Sequence, residues 1–163
     1  MNETLSENRP TLVQTHADKA QPKEDFRMRL ISTQEFEERW SELQPLLNPA
    51  TEFNAGEYET EDLRRMVQQG QAFALGFLRN GKYEYVMVMQ TIQMPRKKVL
   101  FILSWGGHGM RLAFHLFYKE FIDLMKQKGY DSLRGAMRPS MERYAKRMLP
   151  NLNNIYSIVE TTL

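Results

Sequence analysis

Several features are scarce in this 163-residue sequence, and each scarcity excludes a class of protein. There is no cysteine, which excludes disulfides, thiol nucleophiles and thiolate metal sites. The three histidines are scattered and do not form the cluster that a histidine-rich zinc site needs. The longest uninterrupted apolar run, Val99–Leu103, is far shorter than the ~18 residues of a membrane-spanning helix.

Excess charge is absent as well. The net charge is only +2, which does not indicate nucleic-acid binding.

The first residues lack the apolar stretch of a secretory signal, so we expect no secretion by that route. Hydrophobic residues make up 42% and charged residues 26%, which is ordinary for a folded globular protein.

The chain divides into a polar arm, residues 1–25, and a folded body, residues 26–163. The arm shows neither helical nor strand periodicity, and its few apolar residues form no face. Two interpretations stay open. The arm is either a loose tail or a tether held by other protein subunits, whose contacts would offset the entropy lost on ordering it.

The body alternates strand and helix patterns. The predicted elements are a strand at 26–31, a helix at 33–47 ended by Pro49, a helix capped by Thr60, a hairpin at 72–91 around Asn80-Gly81, a strand at 98–105, a long helix from Met110 to 128, a strand at 130–137, a short helix capped by Ser140, and a strand at 155–161. This order predicts an α/β protein with a mixed, largely antiparallel sheet flanked by helices.

A glycine-rich corner joins the apolar strand to the long helix. Gly107, His108, Gly109 and Met110 stand at this junction. Amides in the first turn of a helix lack intrahelical acceptors, and the helix dipole makes that end partly positive. The corner therefore suits a phosphate, although a tight turn that needs glycine would produce the same pattern.

This strand–glycine–helix order, preceded by a hairpin, resembles the GNAT superfamily of acetyltransferases over residues 26–161. The superfamily's phosphate loop, Q/R-x-x-G-x-G/A, is matched at Gly107 and Gly109, while Ser104 replaces the expected Gln or Arg. A helix motif, L-Y-x-K-x-G-F, is matched at Tyr144 and Lys146, with Arg143 and Met148 in place of its leucine and glycine.

The resemblance implies a set of functional residues. It implies that acetyl-CoA or CoA lies across the glycine corner, contacting Gly107, His108, Gly109 and Met110, in a cleft where two strands splay. It also implies that Tyr144 protonates the departing thiolate, although the helical pattern equally allows Tyr144 to be a core residue. No general base can be named: Glu84 faces one side of its strand and could reach a cleft, and a solvated strand glutamate is the alternative.

The local sequence is similar to GNAT-like proteins of phage structural gene clusters as well. These carry a Trp-Gly-Gly loop, here Trp105-Gly106-Gly107, and a G-x-x-R-P segment, here 135–139. This likeness implies a virion or assembly protein, located in host cytoplasm or virion, with degenerate catalysis. Its GNAT-like body would be a docking module, and its arm would tether it to other protein subunits such as virion proteins. The alternative is an acyl-CoA-dependent N-acetyltransferase acting on an unidentified amine.

Overall fold

The computed structural model describes residues 24–52, 54, 56–137, 139–149, 151–155 and 161. Ten elements follow one another in chain order: β1 (Phe26–Ile31), α1 (Thr33–Glu38), α2 (Trp40–Thr51), α3 (Thr60–Gln68), β2 (Phe73–Arg79), β3 (Lys82–Met94), β4 (Lys97–Gly107), α4 (Met110–Gln127), β5 (Ser132–Gly135) and α5 (Pro139–Met148).

The five strands form one sheet in the order β1-β2-β3-β4-β5. Neighbours from β1 to β4 run antiparallel, and β4 and β5 run parallel because α4 crosses over between them. The predicted α/β fold with a mixed, largely antiparallel sheet is thus confirmed.

Helices cover both faces of the sheet. On one face, α1, α2 and α3 bury side chains such as Phe36, Leu43 and Leu63 against β2 and β3. On the other face, α4 packs Phe121 and Met125 onto a second cluster of buried residues. Among the described residues, no helix has both the length and the apolar composition needed to cross a membrane.

The hairpin and the long helix have the predicted form. Asn80 and Gly81 both have positive φ angles, 52° and 79°, as a type I′ turn requires. The long helix begins at Met110 and ends at Gln127, and Gly129 follows in a left-handed conformation at φ 79°.

The first predicted helix, 33–47, is wrong in two respects. The chain turns at Arg39, which divides it into α1 and α2. The Arg39 side chain reaches across to the Gly81 carbonyl at 3.0 Å, a long-range contact that helical periodicity does not encode. Pro49 does not end the helix, because it lies in the last turn of α2 and burial of Leu43 and Leu47 secures that helix.

The glycine corner is shorter than predicted because β4 continues through Gly106 and Gly107, which pair with Val86 and Tyr85.

Other predicted elements differ in their bounds. The predicted strand 130–137 is reduced to β5 (Ser132–Gly135). The α3 helix begins at Thr60 as its first residue, and Glu59 is the N-cap. Most of the predicted arm and of the predicted strand 155–161 lies outside the described residues.

Candidate active site

A cleft opens where β4 and β5 part. The two strands pair from Val99–Ser132 to Ile102–Gly135, and β4 then continues for five more residues with no neighbour on that side among the described residues. The space between them is a cavity of about 590 Å³, within the range usual for small-molecule sites.

The divergence coincides with a bulge in β4. Met89 pairs with Ile102 and Val88 pairs with Ser104, so Leu103 is an extra residue with no partner on β3. A bulge of this kind bends its strand and increases the local twist. The strand therefore turns away from β5 at the residue after the last β4–β5 pair.

Residues of β4, α4 and α5 form walls of the cleft. Trp105 of β4 meets Phe114 of α4 edge to face, with ring centroids 6.4 Å apart, and both line the cavity. Met110 lines it from the start of α4, and half-buried Tyr144 lines it from α5. The structure therefore brings two of the predicted site residues, Met110 and Tyr144, to one cavity.

The other three predicted residues lie at the exposed corner just before Met110 and do not line the cleft. Gly109 is the N-cap of α4 at φ 78°, with no side-chain capping bond, and the first turn carries no acidic residue. Gly107, His108 and Gly109 are exposed to solvent. The positive end of an 18-residue helix is thus left open beside the cleft.

Packing explains part of the glycine pattern. A Cβ at Gly106 would lie 2.0 Å from the Leu46 carbonyl oxygen, and one at Gly107 would lie 2.2 Å from the Glu84 carbonyl oxygen. The His108 amide donates to that same Glu84 oxygen at 2.6 Å. Of the four amides predicted to face an anion, the His108 amide is therefore already bonded within the chain.

Glu84 lies beside this corner rather than in the cleft. Its carboxylate contacts Arg79 at 3.3 Å, and its Oε2 would stand 3.4 Å from a Cβ at Gly109. The ion pair with Arg79 compensates the negative charge next to the α4 N-terminus. The geometry does not place Glu84 as a base in the cleft.

The cleft also contains residues that sequence reasoning missed. Glu142 and Arg134 line it, and Glu142 contacts Lys146 at 2.6 Å. The hydrogen bond from Lys146 lowers the pKa of Glu142. No pattern in the sequence shows that strand β5 and helix α5 face the same opening, since that depends on where β5 leaves β4. Among the described residues, no group of three His, Asp or Glu side chains could hold a metal ion.

Solved structures match this architecture over most of the chain. An aminoglycoside acetyltransferase from an uncultured soil metagenomic sample, in complex with sisomicin, has a TM-score of 0.64 at 12% identity and covers 85% of this chain and 96% of its own. A ribosomal-protein-alanine N-acetyltransferase from Brucella melitensis biovar Abortus 2308 has a TM-score of 0.62 at 14% identity and covers 85% of this chain and 100% of its own.

A possible acetyltransferase from Clostridium difficile 630 has a TM-score of 0.58 at 12% identity, and covers 85% of this chain and 97% of its own. This chain has the fold of the GNAT acetyltransferases. No protein-family model matches the GNAT-like chain, and no curated protein matches it.

The phage part of the resemblance receives no support. The structural neighbours described above are acetyltransferases, and none is named as a phage or virion protein. The comparisons therefore show the GNAT fold and give no support to a virion role.

Proposed function

We propose that this protein is an acyl-CoA-dependent N-acyltransferase. The observation that carries the proposal is the open, uncapped N-terminus of α4 standing beside the cleft between β4 and β5. An anion site and an elongated cavity are both needed to hold an acyl-CoA, which supplies an acyl thioester for transfer to an amine. The acetyltransferases that share the fold support the same chemistry.

The phosphates would be held by the first turn of α4. Ala113 is the first helical residue whose amide bonds back along the helix, to the Gly109 carbonyl at 2.8 Å. The amides of Met110, Arg111 and Leu112 precede that bond and have no intrahelical acceptor. These amides can donate to an anion, and the helix dipole adds to the attraction.

The acyl-bearing arm of the donor would lie in the cleft, against Trp105 and Phe114, whose rings exclude water from one wall. Tyr144 lines the same cavity, and its phenolic hydroxyl is a hydrogen-bond donor. We assign to Tyr144 the protonation of the thiolate that leaves when the amine takes the acyl group.

A charge placed at the corner tests the proposed anion site. We expect His108→Glu to weaken acetyl-CoA binding about tenfold, because a carboxylate beside the first-turn amides repels the phosphates. The same acidic side chain favours the helix dipole, so the variant should fold as well as the parent protein.

His115→Glu is the matched control. His115 is exposed on α4, seven residues after His108, and a carboxylate at this position is remote from the helix N-terminus. In a thermal-shift titration, acetyl-CoA at a hundredfold excess over Kd should raise Tm by about 5–10 °C for the parent and the control. No shift for the parent protein at millimolar ligand, or equal loss in both variants, refutes the proposed function.

A further inference from the structure

The loop between α2 and α3 reaches the point where the sheet opens. Tyr58, in this loop, is half-buried, and its hydroxyl donates a hydrogen bond to the main-chain carbonyl of Leu103. Leu103 is the extra residue of the β4 bulge. A side chain from the helical layer is therefore bonded to the one β4 residue that marks the divergence from β5.

The Leu103 carbonyl accepts this bond at the point where the strand pairing changes. Leu103 has no register partner on β3, and the pairing of β4 with β5 ends one residue earlier, at Ile102. The Tyr58 hydroxyl donates to the carbonyl of this unpaired position. Removing a donor from a partly buried carbonyl costs free energy.

Contacts on both its side chain and its main chain fix the position of Tyr58. Its ring packs against the cluster of buried residues under the helices, as do Leu46, Met66 and Leu103. Its own carbonyl accepts a hydrogen bond from the Asn54 side chain. Burial raises the pKa of Tyr58, which keeps the hydroxyl protonated and able to donate.

A second contact acts on the same stretch of strand. The Leu46 carbonyl occupies the space that a side chain at Gly106 would need, so α2 lies directly on the end of β4. Beyond Ile102, β4 is therefore held by its pairing with β3 and by contacts with the helical layer.

We propose that Tyr58 is a positioning residue, which holds the Leu103 bulge and so keeps the end of β4 turned away from β5. Tyr58 does not line the cleft, so it acts through the strand and not by touching a ligand. The consequence for ligand binding rests on the proposed function: an acyl-CoA would fit the cleft only while β4 keeps this path.

Tyr58→Phe removes the hydroxyl and leaves the ring. Tyr130→Phe is the matched control, because the Tyr130 hydroxyl also makes one hydrogen bond, to Thr91 at 2.6 Å, but that bond is exposed and does not involve Leu103. For both variants, Tm, the Kd for acetyl-CoA and hydrogen exchange of the backbone amides are measured on the full chain.

We expect Tyr58→Phe to raise the Kd for acetyl-CoA about tenfold and to speed exchange at residues 103–107, while the β2–β3 hairpin exchanges as in the parent protein. Tyr130→Phe should change neither. A merely stabilising hydroxyl would lower Tm without this local pattern. Parent-like exchange at residues 103–107 in Tyr58→Phe, or an equal rise in Kd for both variants, overturns the proposal.

The two proposals fail in different ways. If the parent protein binds no acetyl-CoA, the proposed function is refuted, and hydrogen exchange alone decides the role of Tyr58. Faster exchange confined to residues 103–107 then supports the positioning role, and unchanged exchange there overturns it.

Discussion

The hydroxyl of Tyr83 ties the sheet to helix α1 and should make stability depend on alkaline pH. Tyr83 is 2% exposed, and its hydroxyl donates to the Glu35 carboxylate at 2.8 Å. Burial, followed by this hydrogen bond to Glu35, raises the pKa of Tyr83 from 10.0 to about 12. The folded protein therefore favours the neutral phenol more than the unfolded chain does.

The sign and size of the effect follow from that shift. Because the pKa is raised on folding, the stabilisation is complete below pH 10 and is lost as the pH rises to about 12. Two pKa units correspond to no more than about 2.7 kcal/mol of unfolding free energy. The Arg29 side chain, which also contacts Glu35, opposes the shift and limits its size.

Urea denaturation of the parent protein and Tyr83→Phe between pH 8 and pH 12 measures this contribution. The phenylalanine variant should be less stable by about 2–3 kcal/mol at pH 8, as expected for a buried hydrogen bond to a charged group. The difference should shrink steadily above pH 10. A difference that stays constant across this range would refute the argument, because it would show that Tyr83 titrates alike in both states.

Two further substitutions test the packing of the corner and the chemistry of the cleft. Gly106→Ala places a Cβ 2.0 Å from the Leu46 carbonyl oxygen and should lower the free energy of unfolding by about 3 kcal/mol. Calorimetry should then show a fall in Tm of roughly 6–12 °C. The control Gly129→Ala, which has open space around its Cβ, should lower the free energy of unfolding by about 1 kcal/mol. Tyr144→Phe should lower the turnover of acetyl-CoA with a panel of amines roughly a hundredfold and leave the Kd for acetyl-CoA within twofold of the parent value. Tyr118→Phe is the control. A loss of acetyl-CoA binding equal to the loss of turnover would show that Tyr144 has only a packing role.

Local patterns in the sequence were enough for most of the elements. The Asn80-Gly81 turn and the i, i+3, i+4 spacing of apolar residues in α4 act over a few residues, so they can be recognised without the fold. The break at Arg39 could not be recognised in this way. It accompanies contacts with the hairpin turn, 42 residues away along the chain.

The candidate site could be predicted only in part from the sequence. A strand–glycine–helix junction was predicted from local spacing, but part of its glycine pattern comes from contacts with Leu46 and Glu84 that such spacing does not report. Glu84 alternates along β3 like any other strand residue, and its pairing with Arg79 depends on the hairpin register. The bulge at Leu103 and the end of the pairing with β5 depend on how β4 pairs with β3 and β5, and local sequence patterns do not report that pairing.

The sequence by itself determined the class of fold and the place of an open helix N-terminus, because helix periodicity, turn residues and the absence of a capping side chain are short-range properties. Only the tertiary structure decided that Met110 and Tyr144 face one cleft, that Glu84 does not, and that Tyr58 reaches Leu103. Those relations depend on where β5 separates from β4, which is set by packing between residues far apart in the chain.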